Sequence, residues 1–349
     1  MKSILKSLFL ALLWTLAFYS CSSTRYPEQF RYSSNYDQIK IGFGSCLKQD
    51  KPMPIFQSIK KDNFNLFLML GDNVYGDTER SDLMELKLAY KKQNENFKSL
   101  KFNFPFEAIW DDHDYGLNDA GREYPSKTKS KDLFLDFWNV PMNDIRRNRE
   151  GLYHEKLISL GDKKLQLIFL DTRSFRDNLL KTDEYGSPGK ERYIPNQDST
   201  LTILGYEQWS WLQEKLNTGC DFRIIISSIQ FLPIGHGWES WNNFPYERLK
   251  LIKMIENTTI KNTIFISGDR HRGGFYKKPV KKGYNIYEIT SSSLNASFTN
   301  KEEYGPLRLG KTYIEENYGS ISISSSKDEV LVDLMNIKGE TLKSIKINN

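Results

Sequence analysis

Short apolar runs, each stopped by glycine, serine or an acidic residue, recur along this chain and set its organisation. Leu66-Phe67-Leu68-Met69-Leu70 is the clearest of them. It reads as a strand buried on both faces, as in a parallel sheet. Ile39–Phe43, Phe106–Trp110, Lys164–Leu170, Phe222–Ile229 and Thr263–Ile266 repeat the pattern, and Gly151–Ser159 and Tyr284–Thr290 read as further strands. Between these runs, apolar residues spaced by three and four predict helices over 53–63, 79–100, 130–138, 206–216 and 248–255. Towards the carboxyl end the period changes to two: Ile321, Ile323; Val330, Val332, Leu334; Ile345, Ile347. That alternation, with a turn near Lys338-Gly339, predicts antiparallel strands. Residues 174–204 show no period and form a long loop, the kind that acts as a lid or an irregular insertion.

The amino terminus is patterned differently. Lys2 and Lys6 precede an apolar run from Leu8 to Tyr19, too short to span a bilayer, and small Ser20 follows. Residues 1–20 therefore read as a signal peptide. Cys21 stands where a bacterial lipoprotein carries its lipid-modified cysteine, although Phe18 and Tyr19 fit the usual motif loosely. Residues 21–38 are polar and aperiodic and read as a linker, leaving 39–349 as the folded domain. The expected location is extracytoplasmic, membrane-anchored through Cys21. In an exported chain the remaining Cys46 and Cys220 are candidates for a disulfide, though two cysteines do not make a framework.

Composition adds little beyond this. A chain of 349 residues with 39% hydrophobic and 27% charged residues is ordinary for a globular protein. The net charge of +5 falls to +3 without residues 1–20, and both signs are interspersed, so charge gives no reason to expect nucleic acid.

The chemistry gathers at the strand ends. Gly44-Ser45-Cys46 ends the first strand, and Gly71-Asp72-Asn73-Val74-Tyr75 the second, with Asp77 close behind in what reads as a simple turn. Trp110-Asp111-Asp112-His113-Asp114 follows the third, and Asp171-Thr172-Arg173 a later one. Arg173 suits either a bidentate grip on phosphate or a structural pair with Asp. Ser267-Gly268-Asp269-Arg270-His271 ends another strand; if extended, it would put Asp269 and His271 on one face. Open α/β sheets place ligands beyond the carboxyl ends of their strands. Thiolate, phenolate and imidazole beside carboxylates suit a binuclear centre pairing a higher-valent transition metal with a hard divalent ion.

These motifs, with Gly205-Tyr206-Glu207-Gln208-Trp209-Ser210-Trp211-Leu212, resemble those of the alkaline phosphatase D (PhoD-type) family of calcineurin-like metallophosphoesterases. The resemblance spans roughly residues 39–300 and implies an α/β fold, a two-sheet α/β/β/α sandwich of the calcineurin-like metallophosphoesterase type. It implies that Cys46, Asp72, Tyr75 and His271 hold ferric iron, and that Asp72 bridges to calcium, completed by Asp112 and Asp269. Asn118 would add to that shell or meet the phosphate, His113 would assist the leaving group, and Arg173 would contact the phosphate. The implied activity is hydrolysis of phosphate mono- or diesters by in-line attack of a metal-activated hydroxide. With about twenty residues between Cys21 and the first strand, the chain departs from well-known members in lacking their amino-terminal β-sandwich. Two alternatives stand beside this: a phosphodiesterase or phospholipase D-like enzyme, and a non-catalytic surface lipoprotein binding a ligand through Trp238, Trp241 and Tyr246.

Overall fold

The computed structural model describes residues 35–281, 283–298, 302 and 305–348. The expected signal peptide, Cys21 and most of the 21–38 linker lie outside the described residues. The linker's last residues belong to the fold: Tyr36 N–H donates to the Ser159 carbonyl at 3.1 Å, and Gln38 opens the first strand.

Two six-stranded mixed sheets form the centre. The first contains β1 (Gln38–Gly44), β2 (Leu66–Leu70), β3 (Phe106–Ile109), β10 (Asn317–Ser324), β11 (Glu329–Asn336) and β12 (Thr341–Asn348), in the order β12-β11-β10-β1-β2-β3. The second contains β4 (His154–Leu160), β5 (Lys163–Phe169), β6 (Phe222–Ser227), β7 (Asn262–Ser267), β8 (Gly273–Lys281) and β9 (Tyr284–Ser291), in the order β4-β5-β6-β7-β9-β8. β1, β2 and β3 run parallel, as do β5, β6, β7 and β9, while the outer strands pair antiparallel.

The doubly buried runs follow from this layering. Leu66, Leu68 and Leu70 of β2 face a core shared between the sheets with Ile224, Ile226, Ile264 and Ile266. Phe67 and Met69 of the same strand point outward into a second core. That core is closed by α1 (Ile55–Ile59), α2 (Met84–Leu100) and α4 (Lys127–Phe137), through Phe56, Phe97 and Phe134 among others. The far face of the second sheet packs Ile225 and Phe265 against α6 (Gly205–Leu216) and α7 (Pro245–Glu256), through Leu212 and Leu251. Each such side chain contributes about 2 kcal/mol of burial. The result is the expected α/β/β/α order of layers.

Two short helices complete the chain: α3 (Asp112–Tyr115) and α5 (Ile145–Asn148). The stretch Asp111–Asp114 is thus a turn of helix rather than a loop, its start fixed by Asp114 accepting from Asp111 N–H at 3.0 Å. β8 went unpredicted because Pro279 and three lysines hide its alternation. It lies at the sheet edge, with a register shift between Pro279 and Lys281, where proline is tolerated. The expected strand to Ile229 stops at Ser227, whose hydroxyl donates to the Ile229 carbonyl at 2.7 Å and turns the chain.

Candidate metal centre

β1, β2, β3 and β7 deliver the expected ligands to one place where the two sheets meet. Gly268 makes this approach possible: a Cβ there would come within 2.6 Å of Ser45 Oγ and 3.0 Å of the Leu70 carbonyl. Beyond the strand ends the backbone is unusual. Cys46, Asp72, Asp269 and His271 have φ of 59°, 50°, 67° and 52°, in the left-handed region that non-glycine residues rarely adopt. Such conformations persist where the surroundings enforce them, and they gather at functional sites. The expected extended Ser267–His271 segment is therefore corrected. It is a turn, and Asp269 and His271 reach the same centre by different routes.

Asp72 is the hub. Its Oδ2 accepts from Cys46 Sγ at 3.3 Å and from Tyr75 Oη at 3.2 Å. Its Oδ1 is buried with no hydrogen-bond partner. Cys46, Asp72 and His271 offer ligand atoms within 4.8 Å of one another, as do Asp72, Asp112 and His113, and also Asp111, Asp112 and Asp269. Asp72 belongs to the first two of these groups.

The supporting bonds hold these groups in place. His271 Nδ1 donates to the Ala296 carbonyl, which leaves Nε2 as the coordinating nitrogen, and its ring stacks on Phe298 at 4.0 Å. Ser292 Oγ lies 3.2 Å from Cys46 Sγ and accepts from His271 N–H at 2.8 Å. Asp114 accepts from Asn73 N–H at 2.9 Å and pins the Asp72 loop to α3.

Electrostatics give the centre its character. Burial raises the pKa of Asp72 against the pull of His113, with Asp112 and Asp111 pushing the same way as burial. Burial likewise raises Asp269 and, with help from Asp72, the Cys46 thiol. His271 is pushed down to about 4, chiefly by burial, and so stays neutral, the form that binds metal. Acceptors crowded and desolvated in this way are costly without cations. Together with the orphaned Asp72 Oδ1, the donor set fits two metal ions.

Other placements differ from expectation. Arg173 is fully buried, with Nη2 2.5 Å from Asp111 Oδ1 and 2.8 Å from Glu239 Oε2. It does not line the cleft. Its charge offsets two buried carboxylates, so it is the structural Asp–Arg pair rather than the phosphate contact. Asn118 does line the cleft, beside Asp72, Asp112, Asp269 and His271. His113 is there too, its ring 4.1 Å from that of Tyr75. Asp77, read as a turn residue, lies 2.6 Å from His113 Nδ1.

Sequence reasoning missed Arg192, which comes from the 174–204 loop and lines the cleft with Arg270 and Trp238. Asp119 fastens that loop, accepting from Arg192 Nη1 at 2.8 Å and Tyr193 Oη at 2.7 Å. Two arginines flank Trp238, Arg192 at 5.2 Å and Arg270 at 5.1 Å. Trp241 is instead buried, donating to Ser227 Oγ at 3.1 Å, and Tyr246 sits half-exposed on α7, so there is no three-residue aromatic cleft. Cys46 and Cys220 are both free; no disulfide joins them.

A family model described as PhoD-like phosphatase matches residues 16–336. The chain is 24% identical over 277 residues to alkaline phosphatase D of Bacillus subtilis (strain 168), covering 68% of this chain and 46% of that protein. The chain thus spans about half the length of that curated relative. Among solved structures, PhoD superposes with a TM-score of 0.66 at 17% identity, covering 91% of this chain and 70% of that one. GAP50, the anchor in the inner membrane complex of Plasmodium, gives 0.59 at 14% identity, covering 89% of each chain. Purple acid phosphatase PPD1 from yellow lupin (Lupinus luteus) seeds gives 0.57 at 10% identity, covering 92% of this chain and 55% of that one. At these identities the structural likenesses establish the fold, a metallophosphoesterase-like α/β sandwich.

Proposed function

Because the chain belongs to the PhoD-like phosphatase family, we propose that it is a metal-dependent phosphoric-ester hydrolase acting at this cleft. The observation that carries the reading is Asp72, shared between two groups of ligand atoms and left with an unpartnered buried oxygen. Cys46, Asp72, Tyr75 and His271 would hold one cation, their thiolate and phenolate favouring ferric iron. Asp72, Asp112 and Asp269 would hold a harder ion such as calcium, with Asn118 in the same cleft lining. Bound there, the ions supply Lewis acidity toward phosphate oxygens and lower the pKa of water enough to give hydroxide at neutral pH.

The chain's own residues do the rest. Arg192 and Arg270 line a chamber of about 80 Å³ and bring positive charge to phosphate oxygens. His113, held by Asp77 through Nδ1, has Nε2 available to give a proton to the departing alkoxide. Monoesters and diesters both fit this arrangement.

Elemental analysis with assays on 4-nitrophenyl phosphate and bis(4-nitrophenyl) phosphate tests the reading and separates the phosphodiesterase alternative. Asp269→Asn should abolish turnover with the circular dichroism unchanged; retained turnover would overturn the ligand assignment. Ferric iron predicts a visible phenolate charge-transfer band that Tyr75→Phe removes. We propose further that Cys21 carries the lipid that tethers the enzyme outside the cytoplasm. Its support is the Lys2, Lys6 and Leu8–Tyr19 pattern, and its test is incorporation of labelled palmitate that Cys21→Ala abolishes.

A further inference from the structure

A second basic pocket lies beside α4, apart from the metal centre. Its volume is about 430 Å³, and Trp110, Lys127, Lys131, Arg147 and Arg149 line it. Lys127 and Lys131 are one helical turn apart on α4, Arg147 lies in α5 and Arg149 directly follows it. Glu150 is the carboxylate of the lining, and it is already engaged by Lys127 Nζ at 2.8 Å. Arg147 is paired at 2.7 Å with Asp136. Lys131 Nζ donates to the Arg149 carbonyl at 2.6 Å.

Arg149 decides what the pocket is for. Its guanidinium lies over the Tyr153 ring at 3.6 Å, so stacking fixes its plane. Its Nε and Nη2 are buried and have no hydrogen-bond partner. These two atoms form the side-on edge of a guanidinium, the one that matches two oxygens of a phosphate or carboxylate. The same pocket holds two more buried donors without acceptors, Arg147 Nε and Nε1 of Trp110, itself 1% exposed. Asp171, whose charge Arg149 feels, is taken by Leu152 N–H at 2.8 Å and Ser174 Oγ at 2.7 Å. Buried donors without acceptors, foremost the unpaired guanidinium edge of Arg149, call for an acceptor from outside the chain.

We propose that this pocket binds an oxyanion of the phosphate class, gripped by the Nε/Nη2 edge of Arg149 and by Lys131. It is a site separate from the metal centre, with which it shares no lining residue, and it does not depend on the hydrolase reading. The anion is either free phosphate or a phosphate headgroup, the chemistry being the same.

Tungstate, a phosphate mimic located by its anomalous scattering, tests this when soaked into crystals of the metal-loaded protein. A peak against Arg149 and Lys131 is expected, lost in both Arg149→Gln and Lys131→Met while any peak at the metal centre remains. Lys131 lies at the rim of α4, so its substitution keeps the test valid if Arg149→Gln fails to fold. In solution, calorimetric titration with inorganic phosphate should lose one binding event in each variant, with ester hydrolysis unchanged. Co-sedimentation with phosphatidic acid vesicles, against phosphatidylcholine, identifies the source: variant-sensitive binding assigns a headgroup, and phosphate binding without it assigns the free anion. No tungstate in the pocket, or a peak indifferent to both substitutions and therefore an adventitious ion only, would overturn the proposal.

Discussion

His113 Nδ1 lies 2.6 Å from the Asp77 carboxylate, which holds the imidazole at the cleft wall. Asp77 is itself in none of the candidate ligand clusters, but it holds His113, which shares one with Asp72 and Asp112. It acts by positioning. Asp77→Asn should lower kcat about 10-fold, with KM and metal content unchanged, because partners that orient a functional histidine typically contribute 10- to 100-fold. An unaltered kcat would show that the contact is incidental.

Gly268 allows β7 to approach β1 and β2. In Gly268→Ala the new methyl meets the Leu70 carbonyl as well as a side chain, and backbone cannot yield cheaply. Urea denaturation should report a loss of about 1–3 kcal/mol, the usual cost of overpacking. Metal occupancy should fall with it, since Asp269 is the next residue. Normal occupancy in a destabilised protein would mean that the strand ends move as a unit.

Most of this layout was legible in the sequence. The strands that carry ligands were visible as short, largely apolar runs, because the facing sheet buries one side of β1, β2, β3 and β7 and the outer layers cover the other. The ligand residues Cys46, Asp72, Asp112, Asp269 and His271 stood at the ends of those runs and do converge. Three things were not legible. The left-handed backbone at four of them depends on tertiary contacts, since non-glycine residues adopt it uncommonly even where Asp and His tolerate it better than most. Arg192 sits in an aperiodic loop, and its direction is set by Asp119, 73 residues away. Arg173 looked free for phosphate because its partner Glu239 lies in a different part of the sequence. A motif names the residue type but not which carboxylate will claim it.

A buried cluster far from the cleft should govern acid stability. Burial first, then Arg146, push His154 down to about 4, and its ring stacks on Phe169 at 4.2 Å. Glu107 is held down to about 2: burial opposes ionisation, but His154, Lys156 and Arg146 outweigh it. Both groups bind protons more tightly in the unfolded chain, so acid favours unfolding. The His154 contribution is complete above its ordinary value of about 6.5 and is lost as pH falls toward 4; that of Glu107 goes below about 4.5. Between pH 6.5 and 4 the wild type should lose up to about 3 kcal/mol more than His154→Gln does, by urea denaturation. Parallel pH curves would remove His154 from the explanation.

Metal removal should expose the repulsion among the cleft carboxylates. Chelation should lower the melting temperature of the wild type, because burial and mutual charge raise Asp72 and Asp269 alike. In the chelated state Asp269→Asn should melt above the wild type, and in the metal-loaded state it should not. A lower melting temperature in both states would point to a structural role for Asp269 instead.

The most direct test is metal content measured with ester hydrolysis on the same preparation, wild type against Asp72→Asn. Two metal ions per chain are predicted for the wild type, with turnover of 4-nitrophenyl phosphate or its diester that disappears on chelation and returns on reloading. Asp72→Asn should lose both ions together with turnover, since this carboxylate belongs to both ligand groups. A wild-type protein purified without metal and inert toward both esters, or an Asp72→Asn variant that keeps both ions, would contradict the assignment.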